Sequence, residues 1–241
     1  MRPLNFFASR LREFVHHLLL TKTLALLLVA FWWVTSRDAI AIDEVWAFQH
    51  LALERTKERE FFLSIHERAK DSDIPTLFQI QPRAAFAIDD WTWAGLNYSF
   101  FGIRRQENGI ANEDLFTHQN RLEAELQFRV PVSDAIRYVG RNRFEYLMDS
   151  EFRNLNERFR HRSQFLFSTP FHDQILILSQ IELFYDFGAS RLNQTRTAPL
   201  GLRYIYGPWS FQAQPMFVHL DRQDTGWRSN LIANIEVTYE F

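Results

Sequence analysis

Between Phe116 and Val130 the chain alternates. Even positions read Phe116, His118, Asn120, Leu122, Ala124, Leu126, Phe128 and Val130, and odd positions read Thr117, Gln119, Arg121, Glu123, Glu125, Gln127 and Arg129. A strand places successive side chains on opposite faces, so one face here is apolar for most of its length and the other wholly polar. A half-exposed strand of a soluble sandwich alternates in the same way, but over about five or six residues. At about 3.3 Å per residue the run from Phe116 to Val130 is far longer than that.

The pattern recurs along the chain, and no stretch beyond the first forty residues has a helical period. Candidate strands are 45–55, 59–68, 76–87, 92–104, 115–130, 135–148, 157–168, 174–187, 196–206, 209–220 and 227–241. Apolar rows include Phe78/Ile80/Ala84/Phe86, Phe159/Phe165/Phe167, Ile175/Ile177/Ile181/Leu183/Tyr185/Phe187, Leu200/Leu202/Tyr204/Tyr206 and Leu231/Ala233/Ile235/Val237/Tyr239/Phe241. Opposite them stand Gln79/Gln81/Arg83, Arg158/Arg160/Arg162/Gln164, Gln180/Glu182/Asp186 and Asn234/Glu236/Thr238/Glu240.

Composition narrows what such strands build. Hydrophobic residues make up 46% and charged residues 23% of 241, an average that suits a soluble domain. Yet the apolar share includes 24 Phe, 7 Trp and 7 Tyr, and mean hydropathy is still negative at -0.26. Lys22, Lys57 and Lys70 are the only lysines, so arginine supplies nearly all positive charge. A formal net charge of -2 gives no footing for a nucleic-acid binder. The absence of cysteine removes disulfide frameworks, thiolate zinc sites and thiol nucleophiles.

The first forty residues read as a secretory signal. Arg2, Arg10, Arg12 and Lys22 precede the apolar run Thr23 to Val34, and Ala39-Ile40-Ala41 offers small residues where a signal peptidase cuts. That apolar run is shorter than the roughly 20 residues a membrane-spanning helix needs. The expected domains are a signal peptide at 1–41 and a mature β-domain at 42–241, whose net charge falls to -5 once the charged residues of 1–41 are removed.

Exported, long amphipathic strands with one polar and one lipid-compatible face fit a closed transmembrane barrel. The expectation is an all-β, antiparallel up-and-down barrel of 10–12 strands in the bacterial outer membrane. The segments number eleven, whereas bacterial barrels have even numbers, so one boundary is expected to shift, or segment 45–55 to lie only partly in the wall. Short connections near Asp89-Asp90, 131–134, 170–173 and Gly207-Pro208 alternate with longer charged ones near 69–75, 105–114, 149–156, 188–195 and 221–226. Short turns belong on the periplasmic side and long loops outside.

The polar rows carry a lattice of opposite charges. Centring the 131–135 turn on Ser133 sets Glu125 against Arg141, Glu123 against Arg143 and Arg121 against Glu145, with only Arg129 against Arg137, nearest the turn, like-charged. Centring the next short turn on His172 sets Arg162 against Glu182, Arg158 against Asp186 and Gln164 against Gln180. The expected lumen network is Arg121, Glu123, Glu125, Arg141, Arg143, Glu145, Arg158, Arg160, Arg162, Glu182, Asp186, Arg203 and Glu236. Two roles compete for it: a charge-zipped interior that stiffens a narrow barrel, or a pore wall that selects small polar solutes.

Several stretches resemble the bacterial outer-membrane barrel family catalogued as domain of unknown function 2490. They are His118-Gln-Asn-Arg-Leu-Glu123, Gly140-Arg-Asn-Arg-Phe-Glu145, Arg158-Phe-Arg-His-Arg162, Glu182-Leu-Phe-Tyr185, Asn193-Gln-Thr-Arg196, Gly201-Leu-Arg-Tyr204 and Tyr239-Glu-Phe241. The resemblance implies fold and location and no activity. Tyr239 and the terminal Phe241 also look like the signal that outer-membrane assembly machinery recognises, which makes that machinery an expected partner alongside membrane lipid. A monomer is expected.

Catalysis is not expected, and neither is a cofactor. His161-Arg162-Ser163 places His161 and Ser163 on the lipid side of one strand and resembles the His-x-Ser pair of lipid A deacylase barrels. A serine nucleophile needs a base and a third group orienting that base. The neighbours on that face, Phe159, Phe165 and Phe167, offer no carboxylate. A phospholipase-type site would need a His and a Ser near an Asn, and Ser229-Asn230 is the only such dipeptide. A lipid-modifying enzyme is therefore the alternative reading rather than the first. The eight His lack metal-ligand spacing. Trp91, Trp93, Tyr138, Tyr206, Trp209 and Tyr239 fall near strand ends, where aromatic girdles sit.

Overall fold

The computed structural model describes residues 42–70, 75–107, 110–170, 172–222 and 226–241. Its elements are β1 (Glu44–Arg55), β2 (Arg59–Lys70), β3 (Pro75–Ala87), β4 (Thr92–Glu107), β5 (Ile110–Pro131), β6 (Ile136–Asp149), β7 (Asn154–Thr169), β8 (His172–Asp186), β9 (Arg191–Tyr206), β10 (Trp209–Arg222) and β11 (Gly226–Glu240). Each alternating segment is a strand, and each neighbour in sequence is a neighbour in the wall. The expected signal segment lies outside the described residues.

The sheet closes on itself, with β1 joined to β11. The expectation of an even count does not hold. Eleven strands stand in the wall, and segment 45–55 belongs to it fully as β1. An odd number of up-and-down strands leaves the first and last running the same way. The seam is accordingly parallel, from Glu44 opposite Ile232 to Ala52 opposite Glu240, while every other pairing is antiparallel.

The two rims differ as the sequence suggests, with one correction. Gly207-Pro208 is a two-residue turn between Tyr206 and Trp209, and Gly207 has φ of 56°, a conformation that costs glycine least. At the 88–91 turn, Asp89 Oδ1 accepts the Trp91 and Thr92 N–H groups, each at 2.8 Å. The Trp91 N–H above all holds the Asp89 carboxyl below the usual carboxylate range. On the opposite rim most of the residues expected in long loops are strand: β4 runs on to Glu107, β5 begins at Ile110 and β9 begins at Arg191.

Outward rows expose large apolar side chains, among them Leu96, Leu122, Leu126, Phe144, Ile177, Ile181 and Leu202. Soluble monomers rarely expose contiguous apolar patches of this extent. A closed wall with all strands paired and an apolar exterior is the one β-architecture that satisfies its backbone in hydrocarbon. The chain is an outer-membrane β-barrel.

Packing inside is close near the short-turn rim, where Val139, Leu166 and Leu178 cluster. Gly201 of β9 fits against them only because it lacks a side chain, since a Cβ there would lie 2.5 Å from Leu178 Cδ1 and 2.7 Å from Gln214 Cβ. Gly201→Leu is expected to destabilise the barrel by about 1–3 kcal/mol, the usual cost of overpacking. Urea unfolding followed by tryptophan fluorescence checks this, and an unchanged midpoint would contradict the packing described.

Candidate functional site

The inward rows of β2, β5, β6 and β8 bring five glutamates into the lumen, Glu60, Glu123, Glu125, Glu145 and Glu182, and all are buried. A buried carboxylate needs charge partners and hydrogen bonds, and each of these has several. Glu60 receives both arms of the Arg129 guanidinium, at 2.7 and 2.6 Å, with Arg83 at 3.3 Å and Arg55 at 3.1 Å. Glu125 takes Arg83 and Arg143, both at 2.6 Å. Glu123 takes Arg143 at 3.0 Å and Arg121 at 3.3 Å.

The remaining two carry the lattice onward. Glu145 binds Arg158 Nε at 2.8 Å, with Arg160 at 3.4 Å and Arg121 at 3.8 Å. Glu182 takes Arg160 at 2.6 Å and Arg196 at 3.4 Å. Shared partners join these contacts into one unbroken relay of alternating sign. It leads from Arg55 through Glu60, Arg83, Glu125, Arg143, Glu123, Arg121, Glu145, Arg160 and Glu182 to Arg196. Arg55 also pairs with Glu240 on β11.

Inward aromatic rings support the guanidinium planes. Arg129 lies 4.4 Å from the Trp93 ring centre and Arg121 4.4 Å from that of Phe101. Arg158, Arg160 and Arg196 surround buried Phe184 at 4.9, 5.0 and 4.4 Å. Arg68 and Arg196 stack on Trp46 at 3.9 and 4.7 Å. Arg suits this role because its flat cation stacks on a ring while its edge bonds a carboxylate. Trp93, expected in an outer girdle, is therefore a lumen residue, because it shares the inward parity of Gly95, Asn97 and Ser99 on β4. On the β9, β10, β11 and β1 side Trp46, Ala198, Met216, Val218 and Ile232 pack into a small apolar cluster beside polar inward residues such as Gln214 and Asn234.

The expected network is in the lumen, but its pairing differs from the register arithmetic. At the β5–β6 turn Pro131 stands opposite Arg137, so the turn centres on Asp134 and not on Ser133. Glu125 faces Arg143 and Glu123 faces Glu145, while Arg121 faces Leu147. The offset is even, so both faces are kept. Long side chains then reach diagonally and restore the expected Arg143–Glu123, Arg121–Glu145 and Arg141–Glu125 contacts, at 3.0, 3.8 and 3.9 Å. Arg129 faces Val139 rather than Arg137, and it crosses instead to Glu60.

At the β7–β8 turn the register is as expected: Arg158 faces Asp186, Arg162 faces Glu182 and Gln164 faces Gln180. The ion pairs nevertheless run elsewhere. Arg160 takes Glu182, Arg158 takes Glu145, and Asp186 accepts from Asn156 and Asn193 at 2.8 and 3.1 Å. Arg162 and Arg203 have no carboxylate within 4 Å among the described residues, and Arg203 bonds Gln212. Glu236 lies 3.4 Å from His50. Tyr239 and Phe241 pack edge to face at 5.0 Å on the short-turn rim, close to Trp209.

Glu60, Arg68 and Arg196 were outside the expected network. Glu60 and Arg68 hold even, inward positions on β2, but Glu60 meets Arg129 across the lumen, a contact that neighbour-by-neighbour arithmetic does not reach. Arg196 is inward although Leu200 and Leu202, also even, face out, because the register of β9 against β8 shifts between Ala198 and Gly201.

A cavity of about 500 Å³ runs through this lattice, from Arg55 and Glu240 near the short-turn rim to Leu77, Ile103 and Asn230 towards the other. Its wall holds twelve arginines and six glutamates, and Glu125 and Glu145 just behind it do not restore balance. The described lumen is thus positive in a chain whose formal charge is -2.

Glu145 and Glu151 give the contrast that tests the lattice. Glu145 is 2% exposed beneath Arg158, whereas Glu151 and its partner Arg153 are both 69% exposed. Glu145→Gln is expected to cost about 3–5 kcal/mol, because it strands buried guanidiniums. Glu151→Gln is expected to cost about 0–1 kcal/mol. Equal urea midpoints for the two variants would show that the lattice does not hold the barrel.

No family model matches the chain, and no curated protein matches it. Among solved structures it is similar to the NanC porin, with a TM-score of 0.47, 12% identity, and coverage of 80% of this chain and 91% of that one. It is similar to the KdgM porin in complex with disordered oligogalacturonate, with a TM-score of 0.47, 13% identity, and coverage of 80% and 90%. A bacterial polysaccharide outer membrane secretin follows with a TM-score of 0.40, 10% identity and coverage of 73% of both chains.

Proposed function

We propose that this outer-membrane barrel is a narrow channel for small polar solutes, with a preference for anions. The observation that carries this reading is the excess of arginine on the cavity wall. A balanced lattice would serve a purely structural interior, and carboxylates matched to every guanidinium would be enough for it. Among the described residues Arg162 and Arg203 stand without a carboxylate within 4 Å, and Arg141 holds one only at 3.9 Å. All three line the cavity. A single-sign excess in a low-dielectric bore raises the local concentration of the opposite ion.

Size supports limited passage. Eight strands give a bore filled by side chains and sixteen to eighteen an open channel, and eleven stand between. The cavity's 500 Å³ is ample for water and small polar solutes. Kinship with the family catalogued as domain of unknown function 2490 is part of this proposal and rests on the motif stretches alone. Delivery by outer-membrane assembly machinery through Tyr239 and Phe241, and a monomeric state, are further parts of the proposal.

Reconstitution in a planar bilayer tests the channel. Small, steady conductance steps are expected, with a reversal potential in a salt gradient that favours the anion. Arg162→Gln combined with Arg203→Gln is expected to move that potential toward the unselective value. A folded barrel that stays silent would remove the channel reading and leave the lattice as scaffolding.

A further inference from the structure

The outward rows of β6 and β7 carry three polar side chains among apolar neighbours. His161 and Ser163 lie on the outward row of β7, and Asn142 of β6 is paired directly with His161. Phe144 faces Phe159 beside them, and on the other side Leu183 and Ile181 face His161 and Ser163. Polar groups on a lipid-facing wall are costly, so three in contact need a reason.

Their geometry supplies one. Asn142 Oδ1 lies 2.8 Å from His161 Nδ1, and His161 Nε2 lies 2.9 Å from Ser163 Oγ. Tyr138 Oη stands 3.1 Å from the same Oγ. An amide oxygen can only accept, so Nδ1 carries the proton and Nε2 is left to accept the Ser163 hydroxyl. Tyr138 then donates to Oγ. Nucleophile, base and orienting group stand in the order that activates a serine. The third group, sought in sequence as a nearby carboxylate, is an amide brought from nineteen positions away by the β6–β7 pairing.

Gly140 completes the arrangement. It is paired with Ser163, and a Cβ on it would lie 2.8 Å from Tyr138 Oη and 3.0 Å from the ring. Glycine thus lets the phenol reach across to Ser163 and leaves room beside Oγ. Two other serine–histidine contacts exist among the described residues, His50–Ser64 at 2.6 Å and His219–Ser229 at 2.7 Å. The first faces the lumen and not lipid, with His50 Nε2 3.4 Å from Glu236, and the second is exposed.

We propose that Ser163, His161 and Asn142 form a serine-hydrolase site on the lipid face, acting on the acyl esters of membrane lipids. The substrate class follows from position, since lipid is what reaches an outward site within the wall, and the acyl ester is the bond in lipid that a serine nucleophile opens. Ser163 Oγ attacks the ester carbonyl carbon while its proton passes to His161 Nε2. The carbonyl oxygen becomes an oxyanion, and the Tyr138 hydroxyl beside Oγ donates to it. Collapse breaks the carbon–alkoxy bond, and the imidazolium returns its proton to the departing alcohol. Water, deprotonated by His161, then attacks the acyl-serine, releasing the fatty acid and restoring Ser163.

The full chain in detergent micelles, its folding verified by heat-modifiable gel migration, tests this against two sources of the same ester: glycerophospholipid and lipopolysaccharide. A fluorophosphonate probe is expected to label Ser163, and fatty acid is expected to be released from at least one source. Ser163→Ala and His161→Ala should lose the activity by on the order of 10³-fold or more. Tyr138→Phe should lose about 10²–10³-fold in kcat. Asn142 is a positioning residue: Asn142→Ala should cost about 10²-fold, and Asn142→Asp should restore activity. The aspartate would stabilise the imidazolium, so the acid limb of the pH profile should move to higher pH. A folded barrel that is not labelled at Ser163, or is labelled but turns over neither ester, overturns the proposal. The lumen reading is untouched by either result, because it rests on the opposite face of the wall.

Discussion

Hydrocarbon offers no partner to an amide, so each N–H and C=O within the bilayer must be paired inside the wall itself. That requirement turns a run of amphipathic strands into a ring, and the ring has no free edge to spare. Eleven strands meet it only by joining β1 to β11 in parallel. The even count of most bacterial barrels is therefore a consequence of antiparallel closure rather than an independent rule, and one parallel seam suspends it.

Closure creates the second problem, an enclosed space too wide for side chains to fill with apolar packing alone. This chain divides that space. On the β9–β1 side Trp46, Met216, Val218 and Ile232 pack as a small core. On the β2–β8 side the relay of arginines and glutamates bridges one strand to the next. Buried ion pairs are poor sources of net stability when isolated, because desolvation offsets attraction. Here each glutamate meets two or more guanidiniums, and ring faces cover the cations. The desolvated groups therefore have most of their partners supplied.

The fold was legible in the sequence because period two survives wherever one face meets lipid and the other does not. The eleven segments and the parity of nearly all their residues can be read directly. Trp93 misleads because an aromatic near a strand end suits either face, and only parity with Gly95 and Asn97 decides it. The partners of Arg121, Glu123 and Arg143 were legible although their register was not. A one-residue error in the turn centre shifts the pairing by two and so preserves faces, and long side chains reach diagonally over the same distance. Glu60 with Arg129, and Asn142 with His161, were not legible. The first contact spans the lumen, and the second depends on a pairing between strands whose connecting loop leaves register unspecified.

β7 carries both consequences on a single strand. Arg158, Arg160 and Arg162 project from one side, and His161 and Ser163 from the other, with only the backbone between them. Arg158 and Arg160 are tied to Glu145 and Glu182, which clamps β7 against β6 and β8 from within. Spacing on the lipid side is thereby held by electrostatics on the aqueous side. The strand works as a brace as well as a divider: loosening the interior would let the outward hydroxyl and imidazole drift apart, although no interior residue touches either.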